Sequence, residues 1–313
     1  MPRVPVVRTG LSCLALTLAM LMPLAAAAED PALSNAETMP RANRSLLLDV
    51  APLPSGFVAV GERGHVLRSD DGVEWRQLTV PTRSTLTAVT VHDGQVWVVG
   101  HDGVVLHSPD GGDSWQRRRA DPRAPDSYDP NQGLPLLDVT VLGNGEVLAI
   151  GAYAQLLASA DSGESWESRA AFPHPEAVEE AAEEGAAEAG ADWTFDDADL
   201  DLEDEADPHL NAIAQAGDGA LVIAGERGAI LRSRDGGHSW ERLSLPYEGS
   251  MFGVLAWEGG HILVFGLRGN VLESQDLGDS WREIDTGITD SLMGGRALPG
   301  GGAILVGANG AVL

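Results

Sequence analysis

From residue 45 onward, short apolar runs alternate with polar, glycine-rich turns, which is the pattern of strands rather than helices. Residues 45–50, 57–60, 65–68 and 75–80 read as four successive strands bounded by Pro, Gly, Ser and Asp. The set then returns. A second runs from about residue 85 through Trp115, a third includes 136–141 and 147–150, a fourth spans 210–245, and a fifth covers about 251–284. Residues 291–313 open a sixth set and stop within it.

Two turn signatures keep this register. The first, Gly-x-x-Gly, falls between the second and third strands at Gly61 and Gly64, Gly100 and Gly103, Gly225 and Gly228, and Gly266 and Gly269. Ala154 replaces the second glycine of the copy that starts at Gly151, and a sixth copy joins Gly307 to Gly310. The second signature, Ser-x-Asp-x-Gly-x-x-Trp, lies between the third and fourth strands. Its copies are Ser108, Asp110, Gly112 and Trp115; Ser159, Asp161, Gly163 and Trp166; Ser233, Asp235, Gly237 and Trp240; and Ser274, Asp276, Gly278 and Trp281. A fifth copy, Ser69, Asp71 and Trp75, is one residue shorter. Ser and Asp side chains hydrogen-bond the backbone of their own turn, Gly admits positive φ, and Trp supplies a large apolar anchor. Four short strands per repeat of roughly 40 residues are the sequence signature of propeller blades. The expected fold is an all-β propeller of four-stranded blades, five complete and a sixth partial.

The ends and the composition refine this. Residues 1–28 read as a cleaved secretory signal: Arg3 and Arg8, an apolar stretch from 11 to 24, then small residues with cleavage after Ala28. Cys13, the only cysteine, lies inside this leader without a lipoprotein context, so no disulfide or thiolate chemistry is expected of the mature chain. The expected location is periplasmic or secreted, with no integral membrane segment after cleavage. Residues 29–43 read as a linker, 44–313 as the propeller, and 171–208 as a disordered acidic insertion. The 176–207 stretch carries 15 acidic residues and no basic one, and such a segment repels itself and has little apolar surface to bury. Asp197, Asp199 and Asp201 resemble the start of a calcium loop, but Leu202 stands where its glycine should.

The formal net charge is −27, every basic residue is Arg, and Lys is absent. Nucleic acid is therefore an unsuitable partner, and phosphate-loop and Schiff-base chemistry fall away. His92, His101 and His107 lack metal-ligand spacing, so neither metal nor other cofactor is expected. Strand order places the Gly-x-x-Gly turns on the same face as the connections between blades, from which the insertions also leave. Arg63, Arg227 and Arg268 occupy one slot of those turns and are the candidate partner-binding residues, since a guanidinium suits carboxylates. Neutralisation of the neighbouring Glu62 and Glu226 is the alternative role for Arg63 and Arg227. The Ser/Asp/Gly/Trp turns fall on the opposite face, as structural clasps.

The Ser-x-Asp-x-Gly-x-x-Trp turn is the Asp-box, or BNR repeat. Together with the upstream Gly-x-x-Gly turn, it makes the chain resemble the Ycf48/Hcf136-like photosystem II assembly factors, through residues 44–313. The resemblance implies seven blades in a complete protein and a non-catalytic exported scaffold for protein partners. These could be membrane-protein complexes at the periplasmic face, in photosystem assembly or, in a non-phototroph, in envelope transport. The alternative is a secreted sialidase-like or carbohydrate-binding Asp-box propeller. Sialidases use three arginines with a Tyr/Glu nucleophile pair. Here the three arginines share a repeat slot, Tyr247 beside Glu248 is the one adjacent pair, and the sialidase Arg-Ile-Pro signature is absent.

Overall fold

The computed structural model describes residues 30–124, 127, 129, 132–172 and 207–313. The expected leader, most of the acidic insertion and the calcium-like run lie outside them. The described chain forms five four-stranded antiparallel sheets and one two-stranded sheet, each with its strands in sequential order. Blade 1 contains β1 (Leu47–Pro52), β2 (Phe57–Gly61), β3 (Val66–Ser69) and β4 (Arg76–Leu78). The other innermost strands are β5 (Leu86–His92), β9 (Leu136–Val141), β13 (Leu210–Gln215), β17 (Met251–Ala256) and β21 (Leu292–Ala297). They lie side by side in chain order around a central channel. The expected all-β propeller is therefore the observed architecture.

Burial explains the composition of each strand position. The second strands of blades 3, 4 and 5, β10 (Val147–Gly151), β14 (Leu221–Gly225) and β18 (Ile262–Gly266), are buried throughout because a neighbouring blade covers each face. A strand covered on both sides reads as an unbroken apolar run rather than an alternating one. The outermost strands β12 (Glu167–Ser168), β16 (Glu241–Arg242) and β20 (Arg282–Glu283) are exposed and charged. The core accordingly divides into slabs between blades, such as Ile150, Leu156, Ile213 and Ile223 between blades 3 and 4. Val50 is 54% exposed, whereas its counterparts Val89, Val139, Ile213 and Val254 are buried against a preceding blade. Ile304 and Val306 in β22 (Ala303–Gly307) are also exposed.

The stretch expected to be a linker packs as a strap over blades 1 and 2. The Pro31 carbonyl accepts the Arg83 N–H at 2.7 Å, and the Ala36 N–H donates to the Val80 carbonyl at 2.9 Å. Gln77 holds the strap twice, accepting the Met39 N–H at 2.7 Å and donating to the Glu37 carbonyl at 2.8 Å. Arg117 donates to the carbonyls of Ala32 and Pro81, and Ala32 and Ala36 join the apolar slab between blades 1 and 2. Polar composition disguised this docking because the backbone makes most of its contacts.

Candidate functional site

The Gly-x-x-Gly turns owe their glycines to two close approaches. A Cβ on Gly61 would lie 2.1 Å from the Leu46 carbonyl oxygen, just before β1, and the first glycine of each repeat meets the equivalent carbonyl. At Gly64 the φ is +68°, and a Cβ would lie 2.1 Å from the Thr82 carbonyl oxygen in the connection to blade 2. The turns and the connections between blades thus share one face. Where Ala154 replaces glycine, its N–H donates to the Pro208 carbonyl at the root of the acidic insertion, which supplies the connection there.

The residue between the two glycines is left-handed in every copy: Arg63, Asp102, Tyr153, Arg227, Arg268 and Asn309 have φ of 51–58°. Asp102 accepts the Ser84 hydroxyl at 2.6 Å, Asn309 donates to Asp290 at 2.6 Å, and the Tyr153 ring meets His209 edge-on at 4.9 Å. The three arginines are exposed. Arg227 and Arg268 stand on adjacent blades 4 and 5, while blades 2 and 3 separate them from Arg63. Glu62 accepts the Leu46 N–H at 3.3 Å, and Glu226 accepts the His209 N–H at 3.2 Å. These glutamates cap the amide entering the inner strand of their own blade. Arg63 and Arg268 make no ion pair among the described residues.

The Asp-boxes sit at the other end of the blades. In the box of blade 3, the Ser159 hydroxyl donates to Asp161 at 2.9 Å and accepts the Gly163 N–H at 2.8 Å. Asp161 then accepts both the N–H and the hydroxyl of Ser165, at 2.9 and 2.6 Å. Asp110, Asp235 and Asp276 repeat this with Ser114, Ser239 and Ser280. The hydroxyl of the following serine is the largest influence holding all four carboxylates at a pKa of about 2. In the short box Glu74 replaces that serine. Asp71 accepts the Glu74 and Val73 N–H groups instead, and its pKa is lowered chiefly by the Glu74 amide. The indole N–H groups of Trp75, Trp115 and Trp240 donate to the carbonyl of the box glycine at 3.1–3.2 Å.

The central channel holds polar residues that sequence reasoning missed. Each inner strand has an irregular register near its second residue, and the second and third positions of all six strands line a recess of about 250 Å³. Four neighbouring pairs of blades are stapled there. Asp49 of blade 1 accepts the Val89 N–H of blade 2 at 2.8 Å, and Thr87 of blade 2 donates to the Leu136 carbonyl of blade 3 at 2.6 Å. Asp138 of blade 3 accepts the Ile213 N–H of blade 4 at 2.8 Å, and Asn211 of blade 4 donates to the Met251 carbonyl of blade 5 at 2.9 Å. Burial pushes Asp138 up to about 7, and it also raises Asp49. The signal available in sequence is the tetrapeptide Leu-Leu-Asp-Val, which occurs at both 47–50 and 136–139.

The Tyr247 hydroxyl donates to the Leu267 carbonyl at 3.4 Å. His107 is buried, stacked on Trp97 at 4.1 Å between ring centroids, with Nε2 2.8 Å from Gln95. The described residues contain no group of three or more His, Cys, Asp or Glu side chains placed to hold a metal.

Fold and turns together define a β-propeller of Asp-box blades. Residues 35–132 match the family model of the photosynthesis system II assembly factor YCF48. Over 119 residues the chain is 31% identical to the photosystem II assembly lipoprotein Ycf48 of Synechococcus sp. (strain CC9902), an alignment covering 36% of this chain and 33% of that relative. The chain thus spans about a third of the curated relative it matches. A solved structure of YCF48 bound to D1 peptide superposes with a TM-score of 0.58 at 18% identity, covering 91% of this chain and 82% of the other. A streptogramin B lyase gives 0.59 at 12% identity, covering 85% and 81%, so the fold by itself does not separate binders from enzymes. Among propellers, the chain is thus similar to Ycf48 over residues 35–132. No helix among the described residues is long and apolar enough to cross a membrane.

Proposed function

We propose that this chain is a non-catalytic, exported scaffold that binds a protein partner through the face bearing its Gly-x-x-Gly turns, in the manner of a photosystem II assembly factor. The observation that carries the reading is the exposure of Arg63, Arg227 and Arg268 at rigid left-handed apices of one repeated turn. Guanidinium groups pair with carboxylates in bidentate geometry, and in a chain of net charge −27 these three give one face positive charge on which an acidic partner segment can land. The YCF48 solved bound to D1 peptide supports a peptide segment as the partner class. Export rests on the leader-like residues 1–28, and the matched relative's description as a lipoprotein is in keeping with an envelope location.

The test is fluorescence anisotropy with a labelled D1 peptide over a salt series. Saturable binding that weakens with salt, and is lost when all three arginines become alanine, is expected. Absence of binding, or unchanged binding by the folded triple variant, would overturn the reading.

A further inference from the structure

Beneath the strap, a cavity of about 260 Å³ opens between Pro31, Glu37 and Met39 of the strap, Arg63 and His65 of the blade 1 turn, and Arg83 of the connection to blade 2. His65 is 1% exposed, yet neither ring nitrogen has a hydrogen-bond partner. A buried imidazole without partners is costly, because its N–H and its lone pair have both given up water. At the other cationic wall, Arg83 donates to the Glu37 carboxylate at 2.8 Å. The strap therefore already supplies one carboxylate, while Arg63 forms no ion pair among the described residues. Met39 and Pro31 provide apolar wall.

We propose that this cavity binds a small monocarboxylate with an apolar body: its carboxylate pairs with Arg63, a hydroxyl or amino group beside it satisfies His65, and its apolar part lies against Met39 and Pro31. Neutral His65 offers one N–H and one lone pair, which suits a 2-hydroxy or 2-amino acid, and the C-terminal residue of a peptide shares that chemistry. The site is distinct from the partner face in depth and in His65, Met39 and Pro31, but the two have Arg63 in common.

The experiment is isothermal titration calorimetry of the full chain with leucine, 2-hydroxyisocaproate and isovalerate, each beside its amide, and with a short leucine-ending peptide in free-acid and amidated forms. Saturable binding of free carboxylates, with the amides silent, is expected. His65→Phe and Met39→Trp, which fill the cavity from opposite walls, and Arg63→Ala should each weaken binding at least about tenfold, the scale of a lost charge-assisted hydrogen bond. Arg227→Ala should leave it unchanged. Binding of free acids supports a metabolite-sized ligand, and binding of the free-acid peptide alone supports a chain terminus. No saturable binding by either, or binding equal in the amides, or binding untouched in variants whose circular dichroism matches wild type, overturns the proposal. The partner reading fails separately, since it predicts that binding of the D1 peptide weakens with Arg227→Ala and not with Met39→Trp.

Discussion

Asp138 Oδ2 accepts the backbone N–H of Ile213 at 2.8 Å, so that a carboxylate on the inner strand of blade 3 secures the inner strand of blade 4. Asp49 does the same for Val89 one repeat pair earlier. Removing the acceptor leaves a buried amide unpaired. Asp138→Ala should lower the free energy of unfolding by about 1–3 kcal/mol, the desolvation cost of such a group. Asp138→Asn keeps an acceptor oxygen and should cost less. Urea unfolding of both variants checks this, and equal losses would remove the staple from the account.

The same carboxyl gives a pH dependence of defined sign. Its pKa is raised from 3.8 in the unfolded chain to about 7 in the folded one, so between those values the folded state binds more protons. Its contribution to stability is therefore fullest near pH 4 and is lost as pH rises through 7. The melting midpoint of wild type relative to Asp138→Asn should fall between pH 5 and pH 8, measured as roughly parallel scans on the two proteins. A constant difference would show that Asp138 stays ionised.

Box aspartates act in the opposite direction. Held at about 2 against 3.8, Asp110, Asp161, Asp235 and Asp276 contribute stability that is present above pH 4 and lost as pH falls toward 2. Asp161→Ala should lower the melting midpoint at neutral pH and leave the affinity of the folded protein for a partner unchanged. Lost binding with unaltered melting would place the box on the binding face and reverse the assignment of faces.

At Gly61 the requirement is space rather than conformation, because its φ is −176°. Gly61→Ala forces a Cβ to 2.1 Å from the Leu46 oxygen and should destabilise blade 1. Ala154→Gly removes a side chain already accommodated at φ 54° and should be close to neutral. Thermal melts of the pair test the distinction, and similar effects from both would contradict it.

What was legible in the sequence follows from range. The Asp-box and Gly-x-x-Gly turns are local, each a few residues whose hydrogen bonds close within the turn or onto the next strand, so their spacing announced blades and assigned faces. The staples were not legible. Asp49 and Asp138 act on the neighbouring blade, and Thr87 and Asn211 do the equivalent work with different atoms, which erases the repeat as a letter pattern. Residues 29–43 read as a linker for a related reason: Gln77 and Arg117 hold carbonyls and an amide within that stretch, which any sequence carries. Glu62 and Glu226 were visible as neighbours of arginine, but each binds an amide across its own blade. The buried, unpartnered state of His65 depends on the strap above it, so no local signal marks it.

The staples join blades 1 through 5, and among the described residues blade 6 has no counterpart. Gly253 and Gly294 stand at the third position of β17 and β21, and the Phe265 ring fills the space beside Gly253. Amides at the five-to-six boundary are therefore expected to exchange with deuterium sooner than those of Val89 and Ile213. That boundary should therefore open before any of the four stapled ones.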